Sequence, residues 1–349
     1  MKKIKSIIIG ILLVVSILAI IDPVSAATTR EVGAGKTYTT IGDAITAAAA
    51  GDTILVYPGT YNENVVINKS NITLKSVGGR DSTIIGPGTS VTSYRVINID
   101  GKNLGTITVE GFTIILSSTS PESFGIIQGT GSGEGTTCNI LNNKIKVPNH
   151  LRVGIQVAGN DSKVIGNIVE GGPYKEGWDS AGIMGVTWNS KAKNILIKDN
   201  HILGGGDIGI SIVTWGNGEI SDVLVENNII EKSVDRGIEI GGIVTNTLIR
   251  NNIIRNNPKF GIQERHDHNF VHADGNPTGT KVYYNQFCNN GKDIDIYDDP
   301  NDSYFIGDPK LNARGNTGCP TTLPMNKFLS ILRNNRCKNH PDLEGCNVN

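Results

Sequence analysis

The sequence predicts an all-β solenoid: a single-stranded right-handed parallel β-helix with a short helical N-terminal cap and a disulfide-stapled C-terminal cap. Three observations predict it. First, the dipeptide Gly-Ile recurs at Gly125, Gly154, Gly182, Gly209, Gly237 and Gly261, at intervals of 29, 28, 27, 28 and 24 residues. Second, a phrase centred on Asn-Asn or Asp-Asn recurs between these dipeptides and ends at Ile145, Ile202, Ile230 and Ile254. Third, from residue 52 to residue 300 short β-branched runs alternate with Gly, Asn and Asp, and no helical period appears. A period in the twenties marks a stacked repeat. Strands too closely spaced for crossover helices must pair with the copy one coil away.

The elements follow in order. Lys2, Lys3 and Lys5 precede an apolar run from Ile7 to Ile21 and a small-residue stretch ending at Ala26. This order reads as a secretory signal peptide over 1–26. The run is shorter than the roughly 20 apolar residues a bilayer-spanning helix needs, so the membrane enters only through this segment, if it stays uncleaved. Cleavage removes three lysines and one aspartate and shifts the formal net charge from −1 to −3. That balance argues against nucleic acid as a partner. Thr40–Ala50 reads as a helical lid with Thr40 as N-cap, followed by a first strand at 53–57. The solenoid proper spans 27–305. One coil cannot bury its inward Ile and Val residues alone, but coils stacked about 4.8 Å apart make one core. Asn143, Asn200, Asn228 and Asn252 fall at the same turn and are candidates for a ladder of side-chain amides. Segment 306–349 reads as the C-terminal cap, with a second helix at 325–335. Four of the five cysteines, Cys288, Cys319, Cys337 and Cys346, lie near that end, which suggests one or two disulfides in an exported chain. Sequons stand at Asn68, Asn71, Asn160 and Asn301.

Residues 36–85 resemble the opening of the pectin lyase-like superfamily of right-handed β-helix proteins. The matching residues include Tyr38-Thr39-Thr40-Ile41, Asp43-Ala44-Ile45, Gly51-Asp52-Thr53-Ile54, Pro58-Gly59-Thr60-Tyr61 and Ile72-Thr73-Leu74. Their order is similar to the start of pectin methylesterases and of the copper-site maturation and carbohydrate-binding β-helix group. The resemblance implies the fold and a carbohydrate-related role. The esterase motifs, Gln-Asp-Thr-like and Asp-Phe-Ile-Phe-Gly-like, are absent, and no Gly-His-Gly follows Asp298-Asp299. The run Glu264-Arg265-His266-Asp267-His268 is faintly similar to the Asp-Pro-His-Asp region of alginate epimerases.

The Gly-Ile repeat indexes one strand per coil. With Gly at position 0, odd positions point inward and even positions outward. Gln128 and Glu264, both at +3, break that pattern. The outward columns hold Asp207, Asp235 and Lys259 at −2, Glu239 and Gln263 at +2, Arg265 at +4, and Asn160, Trp188 and Trp215 at +6. Trp188 and Trp215 should lie one above the other and offer a flat platform to a sugar. Asp207 and Asp235 should sit on adjacent coils, where two carboxylates either raise a pKa, recruit a cation such as Ca2+, or serve as a hydrolytic pair. The competing reading is turn structure, since aspartate before Gly is common there. Arg265 could neutralise a uronate, and His266 or His268 could move a proton. Asp179 stands on a turn near the same wall.

These residues support an exported protein that binds, and possibly cleaves or epimerises, an acidic polysaccharide. Asp207, Asp235, Glu239, Arg265, His266 and His268 are the candidate catalytic groups. Trp188, Trp215, Lys259, Asp179 and Gln263 are the candidate substrate contacts. The alternative is a non-catalytic structural or glycan-binding protein of the cell surface, and a third class is metal delivery through His266, His268 and His272.

Overall fold

The computed structural model describes residues 26–86, 95–117, 124–129, 135–147, 153–171, 180–204, 206–265, 275, 277–295 and 317–318. They form a parallel β-solenoid of three sheets, with nine strands in sheet 1, eleven in sheet 2 and ten in sheet 3. A representative coil runs through Ile208–Trp215 on sheet 1, Glu219–Glu226 on sheet 2 and Ile229–Glu231 on sheet 3. It returns to sheet 1 at Arg236–Gly241. All strand pairings are parallel. Ile155, Ile183, Ile210, Ile238 and Ile262 stand in one register column, and none is exposed to solvent. Each such burial is worth about 2–3 kcal/mol relative to an exposed side chain.

The invariant Gly before that Ile has a steric cause. A methyl group on Gly154 would lie 2.5 Å from the Gly182 carbonyl oxygen, and one on Gly209 would lie 2.6 Å from that of Gly237. The same approach, 2.6 Å, recurs between Gly237 and Gly261. At these coils the backbones come so close at the entry to sheet 1 that only glycine fits, whereas the coil before Gly125 has Val96 in the same column.

The Asn phrase forms the tight turn from sheet 2 to sheet 3. Asn143, Asn167, Asn200, Asn228, Asn252 and Asn285 make one continuous ladder. Each backbone N–H donates to the Oδ1 of the next Asn at 2.9 Å. Each Nδ2 also donates to a carbonyl of the preceding coil, as Asn228 does to Ile197 and Asn252 to Val225. The residue before each ladder Asn is left-handed: Asn142, Gly166, Asp199, Asn227, Asn251 and Tyr284. The doublet is therefore two jobs in sequence, a positive-φ bend and then a buried amide. The four expected rungs are present. Asn167 and Asn285 are two more, at coils where the phrase is degenerate.

At the N-terminal end, Thr29–Val32 pairs with Thr53–Val56 and is the true first strand of sheet 2. Helix α1, Ile41–Thr46, is shorter than expected. Thr40 is its N-cap and accepts from the Asp43 N–H, and the Glu63 carboxylate accepts from the Ile41 and Gly42 N–H groups. Ile41, Ala44 and Ile45 pack onto the first coil. Asp52 ties the cap together. Burial opposes its charge, but donors from Thr28, Ala49 and Arg30 outweigh that and hold its pKa at about 2.

Among the described residues no helix is long and apolar enough to cross a membrane. Residues 1–25 of the signal peptide expected over 1–26 lie outside the described residues. So do the helix expected at 325–335 and Cys319, Cys337 and Cys346, with the disulfides expected of them. Cys288 ends the strand Gln286–Cys288, which pairs with Thr317–Gly318 at the C-terminal side. Cys138 is a free thiol buried in the core, where burial pushes its pKa up to about 12.

Candidate functional site

Sheet 1 carries the outward columns singled out from the repeat. Trp188 and Trp215 are register partners. Their ring centroids lie 5.8 Å apart at an interplanar angle of 11°. Trp188 is 48 % exposed and is the most open large aromatic ring of this face. The stack holds its orientation, so little side-chain entropy remains to be lost on binding.

The +2 column behaves differently from the expectation of an open row. Gln156, Ser211 and Glu239 point outward from the strand but are buried, as are Val186 and Val213 at +4. Indexing gives the side of the sheet a residue occupies. It does not say whether other chain covers that side. The two exceptions at +3 are true inward residues. Glu264 is the register partner of Ile240 and is buried, and buried Gln128 bonds to the Ala158 N–H and the Thr136 carbonyl.

Asp207 and Asp235 are adjacent as expected, with the Asp235 N–H donating to the Asp207 carbonyl at 3.0 Å. The Asp235 carboxylate, however, is taken up by cations. Arg236 Nη2 lies 2.7 Å from its Oδ2, and Lys259 Nζ lies 3.2 Å from its Oδ1. Glu239 is bound in the same way. Its Oε1 accepts from Arg236 Nη1 at 2.7 Å and from Arg265 Nη1 at 2.9 Å, and its Oε2 accepts from Ser211 Oγ at 3.2 Å. Arg236 thus bridges two buried carboxylates. The sequence reading missed it, because position −1 was not indexed. The signal was there, a basic residue between Asp235 and Gly237 and three before Glu239.

The site residues therefore divide. Trp188 and Trp215 meet. Asp235, Glu239, Lys259 and Arg265 meet around Arg236, so Arg265 is engaged with Glu239 rather than bare toward solvent. Lys259 keeps a 65 % exposed side chain at the rim. Gln263 is half-buried beside Glu239 in register. His266, His268, His272 and Asp179 lie outside the described residues. Among the described residues no three His, Cys, Asp or Glu side chains converge as a metal site.

No family model matches the sequence. A cell surface glycoprotein of Methanothermus fervidus is 32 % identical over 197 residues, which is 55 % of this chain and 29 % of that protein. Pectinesterase A of Dickeya chrysanthemi is 33 % identical over 105 residues, 29 % of this chain and 28 % of that protein. The chain thus matches less than a third of the length of these relatives. This chain resembles the pectin lyase-like β-helix proteins. Among solved structures, a pectin methylesterase from Aspergillus niger aligns over 85 % of this chain and 91 % of its own, at 14 % identity and a TM-score of 0.45. A Yersinia enterocolitica family 28 exopolygalacturonase aligns over 79 % of this chain and 62 % of its own, at 14 % identity and a TM-score of 0.46.

Proposed function

We propose that this protein is exported and binds a polysaccharide at the cell surface, on the outward face of sheet 1, without turning it over. The observation that carries the reading is the Trp188–Trp215 stack. It is a fixed, half-exposed aromatic surface placed by two adjacent coils. The apolar face of a pyranose ring gains by covering such a surface, and Lys259 at the rim can bond its hydroxyls or acid group. The relatives named a cell surface glycoprotein and a pectinesterase are consistent with a surface, glycan-related role.

Binding without turnover is favoured by the state of the carboxylates. A general acid or nucleophile needs a proton or lone pair to give to substrate. Asp235 and Glu239 are buried, and each faces two cationic side chains. They read as an electrostatic clamp that fixes three coils to one another. The test is a glycan-binding assay on the full chain with Trp188→Ala and Trp215→Ala. Loss of binding in both variants with no product from the parent protein supports the reading. Unsaturated sugars, new reducing ends or epimerised product from the parent would replace it with an enzymatic one.

A further inference from the structure

One turn beyond the tryptophans the sheet splits. Lys191–Lys193 is a short strand that pairs only with Glu219–Glu226, off the main path of sheet 2. Its other flank is closed by Asn160 Oδ1, which accepts from the Lys193 N–H at 3.0 Å, and by the Asp161 N–H, which donates to the Lys193 carbonyl at 2.8 Å. The registers Lys191↔Glu219, Lys193↔Ser221, Ile220↔Val244 and Ser221↔Thr245 set out two outward rows along the solenoid axis. One row is Lys191, Glu219, Ile243; the other is Lys193, Ser221, Thr245. Between them the floor is strand backbone at Ala192 and Ile220, whose side chains are buried in the core, and the space is about 250 Å³.

Asn160 and Ile243 border this trough and also extend the +6 column that Trp188 and Trp215 occupy. The trough therefore runs alongside the aromatic stack. Its charge is unbalanced. Lys191 pairs with Glu219 at 2.7 Å, whereas the Lys193 side chain makes no ion pair among the described residues. One bank thus sets the Lys193 ammonium in line with the Ser221 and Thr245 hydroxyls, of which the Ser221 hydroxyl donates to Asp222 Oδ2 at 2.9 Å. That pattern suits a sugar ring that carries an anionic group.

We infer that this trough is a second saccharide subsite that takes an acidic sugar, with Lys193 as the anion-recognising residue. The inference rests on the proposed binding role and adds charge selectivity to it, which the neutralised network around Arg236 does not supply. Titration calorimetry of the full chain tests it, with an oligogalacturonate, its methyl ester and a sulfated oligosaccharide of equal length as probes. The free acid should bind more tightly than the ester. Lys193→Glu should weaken the free acid about tenfold, as expected for loss of one charge-assisted contact, and leave the ester unchanged. Ser221→Trp, which fills the trough, should weaken both. Tighter binding of the sulfated probe, lost in Lys193→Glu, also supports the subsite and identifies sulfate as its anion. If Trp215→Ala abolishes binding while Lys193→Glu and Ser221→Trp leave it intact, the trough is overturned and the platform stands. If none of the three probes binds the parent protein, both are overturned.

Discussion

Two columns of the same solenoid follow opposite rules. At the turn from sheet 2 to sheet 3, six coils repeat one residue, Asn, buried and bonded through every amide group to the coils on either side. On the outward face of sheet 1, the +2 column changes identity at each coil: Gln156, Met184, Ser211, Glu239, Gln263. Stacking demands identity where a side chain satisfies the backbone of its neighbour, as in the Asn ladder, or where packing leaves room for one size, as in the Gly and Ile columns. Where it does not, each coil is free to contribute a different group, and a surface with local chemistry can arise. A constant column marks architecture, and a varied one marks a place where function can be written.

Substitutions can break or sharpen that contrast. The largest effect should come from the varied face, at its buried clamp. Arg236→Met leaves Asp235 and Glu239 short of their shared partner, and removal of one member of a buried pair costs about 3–5 kcal/mol. Urea denaturation reads this, and a loss below about 1 kcal/mol would mean that Lys259 and Arg265 suffice. Asn228→Ala cuts the ladder at one rung. It strands the Asn200 N–H in the core and removes the side-chain donor to the Ile197 carbonyl, at a cost of about 3 kcal/mol, while the backbone N–H of residue 228 still reaches Asn252 Oδ1. Gly237→Ala forces a methyl group onto the Gly261 carbonyl and should cost about 1–3 kcal/mol.

Acid should act on the cap through Asp52. Asp52 titrates below its ordinary value of 3.8, at about 2, so its contribution is intact above pH 4 and fades as pH falls toward 2. Thermal melts of the parent between pH 5 and pH 2 should show this loss, and Asp52→Asn should flatten it. The smallest effect belongs to the exposed platform. Trp188→Ala should change stability by no more than about 0.5 kcal/mol while lowering glycan affinity. The reverse result, a large loss of stability with affinity kept, would make the stack part of the architecture.

Much of this was legible in the chain. The Gly-Ile period placed Trp188 against Trp215 and Asp207 beside Asp235, because a strand register carries sequence distance directly into space. Asn143, Asn200, Asn228 and Asn252 announced the ladder. Asn167 was hidden because Gly166 supplies the same left-handed bend without the Asn doublet, and Asn285 stood in a looser copy of the phrase, where Tyr284 makes that bend. The split strand Lys191–Lys193 was not anticipated, since it depends on a local departure of coil length, and Arg236 was missed because position −1 was not indexed. The burial of Ser211 and Glu239 depends on what covers the strand, and no period encodes that.

The Gly-to-carbonyl approach at the entry to sheet 1 has a consequence for how such a molecule can change over generations. At Gly125, Gly154, Gly209 and Gly237 coil meets coil through the same tight seam, so these interior coils present similar faces above and below. Duplication or deletion of a whole coil leaves two matching faces in apposition, whereas gain or loss of part of one does not. Length is then a freely adjustable property of this protein, in whole-number steps, with the wall of variable side chains growing or shrinking in proportion.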